Sequence, residues 1–162
     1  MTPLHYRRPE ESDHIRVVEA IPVWWKMPPD AAPSRLLPRL FFQHFANTSI
    51  LVEDDGGDLA AFLIGFRSAS RPQIAYIHFV GVAPHLQRQG VARDLYERFF
   101  AMMREQGCSR VEAITGPINR RSQSFHRALG FTLAGDTEVS GVLAYLDYDG
   151  PGQHRVTFAR SL

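Results

Sequence analysis

The sequence predicts an α/β (α+β) fold in a single domain of residues 1–162, with a mixed, mostly antiparallel twisted sheet of six to seven strands and about four helices. Three observations carry this expectation. The candidate elements run strand, two helices, three strands, helix, strand, helix, strands, which is not the strict alternation of a repeating βα barrel. Two apolar runs flank the short Asp/Gly segment 54–58, as in an antiparallel hairpin. An amphipathic helical pattern opens at Val91, directly after a strand that reads as buried on both faces.

Residues 4–8 form the first strand candidate. Ser12 stands where a helix N-cap belongs, followed by Asp13 and apolar positions at Ile15, Val18 and Ala20 or Ile21, with Pro22 expected to break or kink the helix. Residues 27–33 hold Pro28, Pro29 and Pro33 and read as an irregular loop. A second helix is expected from Ser34 to about Phe45, in mild conflict with Pro38. Strands follow at 49–53, 59–66 and 74–82, the last ending at Ala83-Pro84. In the next helix Val91, Leu95, Phe99, Met102 and Met103 fall near one side, and Gly107 ends it as a left-handed cap. A strand at 110–115, a helix from Asn119 to Leu129 closed by Gly130, and strands at 131–133 and 154–158 complete the chain. Residues 139–148 read as a surface loop, and Asp149-Gly150-Pro151-Gly152 as a turn.

Composition excludes several classes. At 44% hydrophobic and 22% charged, the 162-residue chain has enough apolar material for a core and is not a disordered tail. Net charge is +1, so no basic surplus points to nucleic acid. No apolar run approaches the roughly 18 residues of a membrane span, and the N-terminal segment has no apolar stretch after its basic residues, so a cytoplasmic location is expected. The single cysteine, Cys108, excludes a disulfide framework, and no metal-ligand spacing is visible among the histidines. The sequence is compatible with a homodimer.

The most informative segment is 80–92, which leaves a buried strand, turns, and opens the clearest helix. A helix start offers unpaired N–H groups and the positive end of the dipole. Gly90 and Ala92 keep side chains small, so an anion such as a pyrophosphate can approach the backbone. The segment lacks the Gly-Lys-Ser/Thr of a Walker loop and the three spaced glycines of a dinucleotide fingerprint.

Gln87-Arg88-Gln89-Gly90-Val91-Ala92 resembles the Gln/Arg-x-x-Gly-x-Gly/Ala signature of the GCN5-related N-acetyltransferases (GNAT), and Asn119, Ser122, Phe125, His126 and Leu129-Gly130-Phe131 resemble that family's second motif. The resemblance implies a sheet splayed near its centre and an acetyl-CoA-dependent N-acetyltransferase acting on a primary amine of a small molecule or protein, by direct transfer in a ternary complex. The pantetheine arm would pair with the backbone of Val80 and Val82 on either side of Gly81, and the N–H groups from Arg88 to Arg93 (Gln89, Gly90, Val91 and Ala92 between) would hold the pyrophosphate. Asn119 would reach the pantetheine amides.

The resemblance also implies catalytic roles. The family's usual acid is a tyrosine at the position of His126, which here either donates as imidazolium or only packs near the sulfur. For the base, Tyr76 and His78 occupy positions from which family members deprotonate the amine. Strand alternation would put them on one face with Val80 and Val82. His78 reads equally as a satisfied core histidine, and Glu53 is a weaker base candidate. The first two helices would wall the acceptor site with Trp24, Trp25 and Phe42, whereas Phe41 and Phe45 read as core. Asp147 and Asp149 would attract an amine. The departure at His126 leaves one alternative from another class: a coenzyme A-binding sensor of the same fold that does not transfer acetyl groups.

Overall fold

The computed structural model describes residues 3–28, 30 and 32–162. The elements among them are β1 (Leu4–Arg7), α1 (Asp13–Trp24), α2 (Leu40–His44), β2 (Ile50–Asp54), β3 (Leu59–Arg67), β4 (Ile74–Val82), α3 (Val91–Glu105), β5 (Arg110–Thr115), α4 (Arg120–Ala128), β6 (Thr132–Ala134), β7 (Thr137–Val139), β8 (Val142–Ala144) and β9 (Val156–Ser161). Seven strands form one sheet in the order β1-β2-β3-β4-β5-β9-β6, and β7 with β8 makes a separate hairpin. Only the β4–β5 pairing is parallel. The expected mixed, mostly antiparallel sheet is the one observed.

Two apolar layers sandwich the sheet because its strands alternate. Ile50 and Val52 of β2 and Ala61 and Leu63 of β3 join the core under α3, with Leu95, Phe99, Phe100 and Met103. Leu51, Phe62 and Ile64 point the other way and pack with Val17 and Ile21 of α1, Leu37 and Phe42. Asp13, Val17 and Ile21 form the buried stripe of α1, whereas Ile15, expected to face the core, is 53% exposed. The i, i+4 row wins because it carries the residues that meet the sheet.

Several local expectations change. Ser12 stands before α1 in a helical conformation and makes no capping bond; the Asp13 carboxylate instead accepts the Glu10 N–H at 2.7 Å. The helix runs through Pro22 to Trp24, since only the last residues lie beyond the missing N–H. The second helix is not continuous: a short turn at Pro33–Arg35 and α2 stand apart, with Pro38 between them, because the residue before a proline is pushed out of helical conformation. Pro29, assigned to the irregular loop, lies outside the described residues. The 139–148 loop instead contributes to the β7–β8 hairpin, turned by Ser140 and Gly141 at φ 51° and 76°. A Ser-Gly pair between alternating residues is the signal that would have revealed it.

An ion network fastens the first edge. Arg7 reaches Asp13 at 2.8 and 2.9 Å and Glu53 at 2.9 and 2.8 Å, and Arg16 reaches Glu53 at 2.5 Å. The Arg7 guanidinium, followed by Arg16, holds the Glu53 carboxyl down at about 2. Glu53 thus serves as an anion that joins β1, α1 and β2.

Candidate active site

The site begins where two strands part. β4 pairs with β5 at only three positions, Ile74↔Arg110, Ala75↔Val111 and Tyr76↔Glu112. Beyond Tyr76, β4 continues to Val82 paired with β3 alone. The outer side of β4 therefore borders a wedge-shaped gap, the splay that the resemblance implies. Ala83 donates its N–H to the Ala60 carbonyl on β3 at 2.9 Å. Alternation then turns the backbone groups of Val80 and Val82 into the gap. Gly81 faces the other layer, where a Cβ would come within 2.5 Å of the Phe62 ring.

The turn after β4 is built to leave donors free. Gln87 sends its Nε2–H back to the Val82 carbonyl at 3.1 Å, while its Oε1 accepts from Arg121 of α4 at 3.0 Å. Gln89 donates to the His85 carbonyl at 2.8 Å. These two side chains brace the loop rather than offering themselves to a ligand. Arg88 and Gly90 both adopt left-handed backbone, φ 64° and 86°, which turns the chain sharply into α3. From Arg88 through Gln89, Gly90, Val91 and Ala92 to Arg93, no backbone N–H has an acceptor among the described residues; the first bonded one is Asp94, to the Gly90 carbonyl at 3.0 Å. A Cβ on Gly90 would meet nothing within 4 Å, so the glycine serves the conformation and the open space above the loop, not packing. Such a run of free donors at a helix start is the chemistry a pyrophosphate requires.

Across the gap, Asn119 caps α4: its Oδ1 accepts the Ser122 N–H at 3.1 Å. Its amide N–H groups have no partner among the described residues, so they are available to a ligand.

His126 lies in the core. It is 5% exposed, and its ring stacks on Phe158 at 4.0 Å. Nδ1–H donates to the Ser122 carbonyl at 2.7 Å, which leaves Nε2 to accept from the Tyr96 hydroxyl at 3.0 Å. Burial pushes its pKa down to about 4. Burial thus favours the uncharged ring, and both of its nitrogens are engaged within the protein. Tyr96, its partner, carried no motif signal in the sequence. The linkage has a definite sign. The unfolded chain takes up a proton near pH 6.5 and the folded one only near 4, so stability is full above 6.5 and declines between those values, by about 3 kcal/mol. His126→Phe is expected to remove that decline, while costing about 1–3 kcal/mol at pH 7 by orphaning the Tyr96 hydroxyl. Urea titrations of both proteins at pH 7 and pH 4.5 check it.

His78 differs in its position on a strand and in having one ring nitrogen without a partner among the described residues. The β3–β4 register shifts between Ile64 and Gly65, so Ile64 faces Phe79, Gly65 faces Ile77, and His78 is the extra residue of a bulge. A bulge reverses the alternation beyond it. Tyr76 and His78 therefore do not share a face with Val80 and Val82: the valines pack with the α3 core and Phe79 with the α1 core. The His78 ring stacks on Phe41 at 4.3 Å and 6°. Its Nε2–H donates to the Leu36 carbonyl at 2.5 Å, which assigns the lone pair to Nδ1, a nitrogen with no partner among the described residues. Burial holds its pKa below 6.5, opposed by the Leu36 bond and the Asp149 charge.

Around His78 the aromatic rings form a ladder. Trp25 stacks on Phe79 at 5.2 Å, and Phe79 lies 5.1 Å from His78. Beyond Phe41 the row continues through Phe45 and Phe66 to Tyr76. Trp25, expected on the acceptor wall, is 42% exposed. Trp24 stacks on Phe62 at 5.9 Å and packs against the α1 core. Phe42, expected on the acceptor wall, is buried in that core instead, while Phe41 packs against the same core with its ring on His78. Both sit on one short helix, and its rotation decides which side chain turns inward. Burial, then the charges of Tyr148 and Asp149, pushes the Tyr76 hydroxyl up to about 12. Asp147 instead folds back on its own turn, accepting the Gly152 N–H.

Among the described residues no helix is long and apolar enough to cross a membrane, and no group of three His, Cys, Asp or Glu could hold a metal ion. Burial pushes the Cys108 thiol up, so it is not an activated nucleophile.

Comparisons with known proteins converge on this geometry. An L-2,4-diaminobutyric acid acetyltransferase of Methylotuvimicrobium alcaliphilum is 26% identical over 120 residues, 74% of this chain and 68% of that protein. Among solved structures, the diaminobutyrate acetyltransferase of Paenibacillus lautus, in complex with L-2,4-diaminobutyric acid and coenzyme A, superposes with a TM-score of 0.72 at 22% identity, covering 98% of this chain and 95% of that one. Ard1 from Thermoplasma volcanium gives 0.75 at 16% identity, covering 98% and 97%. Residues 18–131 match the Acetyltransferase (GNAT) family, a span that includes the gap, the turn and α4. The chain belongs to the GNAT acetyltransferase family and is an acetyl-CoA-dependent N-acetyltransferase that uses an amine as acceptor.

Proposed function

We propose that the whole chain, residues 1–162, works as one catalytic domain in the cytoplasm, transferring acetyl directly to a small-molecule primary amine in a ternary complex. The observation that carries this reading is the run of six N–H groups without an acceptor among the described residues, Arg88 to Arg93, at the mouth of a gap bordered by a strand that pairs there with β3 alone. Those donors would hold the coenzyme's pyrophosphate, the backbone of Val80 and Val82 would align its arm, and the Asn119 amide would donate to it from across the gap. Bound acetyl-CoA supplies the thioester. The Nδ1 of His78 would take the proton of the acceptor ammonium, since a neutral imidazole with its other nitrogen tied to Leu36 is a base fixed in orientation. Tyr76, held protonated by burial, would line the apex of the gap beside it rather than act as a base. His126 would support α4 from below and take no part in proton transfer. A net charge of +1 supports a reading without nucleic acid.

Thiol release from acetyl-CoA in the presence of a panel of primary amines tests the reading. Amine-dependent release is expected, at a rate saturating in both substrates, with no acetylated protein intermediate by mass spectrometry. Tight coenzyme A binding without amine-dependent release would overturn it.

A further inference from the structure

The mouth of the gap carries more positive charge than backbone donors alone would give it. Residues 59–93 and 113–135, which include β3, β4, the turn after β4, α4 and β6, hold seven arginines and no aspartate or glutamate, although the whole chain carries only +1. Elsewhere arginines sit on carboxylates: Arg7 on Asp13 and Glu53, Arg39 on Glu11, Arg98 on Asp94 and Arg155 on Asp149. Three arginines at the turn and on the helix facing it, Arg88, Arg93 and Arg121, have no carboxylate partner among the described residues. All three are exposed. Like charges gathered at one opening raise the local concentration of anions there.

Two of these side chains reach between the turn region and α4. Arg121, in the first turn of α4, donates to Gln87 Oε1 at 3.0 Å, and Gln87 is itself tied to the Val82 carbonyl at 3.1 Å. Arg93, in the first turn of α3, reaches the Ala128 carbonyl near the end of α4 at 3.4 Å. Each contact engages one nitrogen with a neutral acceptor. The other N–H groups of each guanidinium fork, and its whole charge, stay available to a ligand. Arg88 adds a third charge from within the turn, beside the run of N–H groups.

Coenzyme A presents two anionic groups. Its pyrophosphate is matched by the six backbone N–H groups from Arg88 to Arg93. The second is the 3′-phosphate of its ribose, a monoester that is largely doubly charged near neutral pH. Guanidinium forks suit such a group because several N–H donors can meet several oxygens at once. Building on the acetyl-CoA-dependent reading above, we infer that the side chains of Arg93 and Arg121 bind the 3′-phosphate, and that through them the enzyme selects coenzyme A over its 3′-dephospho form. Arg121 lies outside the Gln87–Ala92 motif, and its place here comes from the bond that Gln87 makes to it.

Calorimetric titration of the unmodified chain with coenzyme A and with 3′-dephospho-coenzyme A tests the inference. The dephospho form is expected to bind roughly 10- to 100-fold more weakly, as the loss of charge-assisted contacts to two arginines requires. Arg93→Gln and Arg121→Gln are each expected to weaken coenzyme A binding about five- to tenfold, while the affinity for the dephospho form changes by less than about twofold. Arg104→Gln, an exposed arginine near the other end of α3, is expected to leave both affinities unchanged. The preference for coenzyme A is expected to shrink as salt is raised. Equal binding of the two coenzymes overturns the inference and leaves the acetyltransferase reading standing. Equal losses for both coenzymes in either variant put that arginine to work on the pyrophosphate or the fold, and overturn its assignment. Binding of neither coenzyme removes the underlying reading itself.

Discussion

Replacing Gly90 by valine is expected to weaken coenzyme A binding by about 100-fold or more. Two effects add. Gly90 sits at φ 86°, a left-handed conformation that costs an L-residue roughly 1–2 kcal/mol and a β-branched one more. Its side would also be filled by methyl groups projecting over the free N–H groups of the turn, in a place where a Cβ now meets nothing within 4 Å. Gly107 provides the control. It has the same backbone, φ 84°, with the same open surroundings, at the other end of α3. Gly107→Val is expected to lower the melting temperature to a similar degree while leaving the dissociation constant for coenzyme A unchanged. Calorimetric titration and thermal melts of both variants separate the strain from the cradle. Equal losses of affinity in the two would show that the turn holds no pyrophosphate.

His78→Gln is expected to lower kcat by about 10²- to 10³-fold at pH 7.5. Glutamine can still donate to the Leu36 carbonyl, so the loop contact survives while the base is lost. The pH profile carries the decisive sign. The active form of His78 is the neutral one, and burial keeps its pKa below 6.5. The wild-type rate is therefore expected to hold as pH falls to 6.5 and to decline only below it, as the imidazole takes up a proton. In His78→Gln that acid limb should vanish, leaving the limb set by the acceptor amine. A variant that keeps both the rate and the limb would remove His78 as the base.

Much of this site is legible in the sequence. The segment from Gln87 to Ala92 announced a helix start with small residues, and the free N–H groups found there follow from the helix itself. The span of β4, from Ile74 to Val82, was readable because an apolar run bounded by Ala83-Pro84 has few other solutions. Local expectations failed where proline position or helix rotation decided, as at Pro38 and in the choice between Phe41 and Phe42. A five-residue helix offers too few turns for periodicity to fix its inward face.

The chain's order of residues by itself determined most strands of the main sheet, the long helix, the small-residue turn that opens it and the family they belong to, because each rests on contacts between near neighbours or on a short run of residues. Only the tertiary structure decided the surroundings of the two histidines. His126 stands in the family's motif, yet Tyr96, 30 residues away in sequence, takes its Nε2 and the core neutralises it. His78 stands in a strand that reads as regular, yet a bulge against β3 turns it onto Phe41 with Nδ1 free. Protonation and facing depend on what approaches from distant parts of the chain, through burial and strand register, and neither is written in the spacing of the residues themselves.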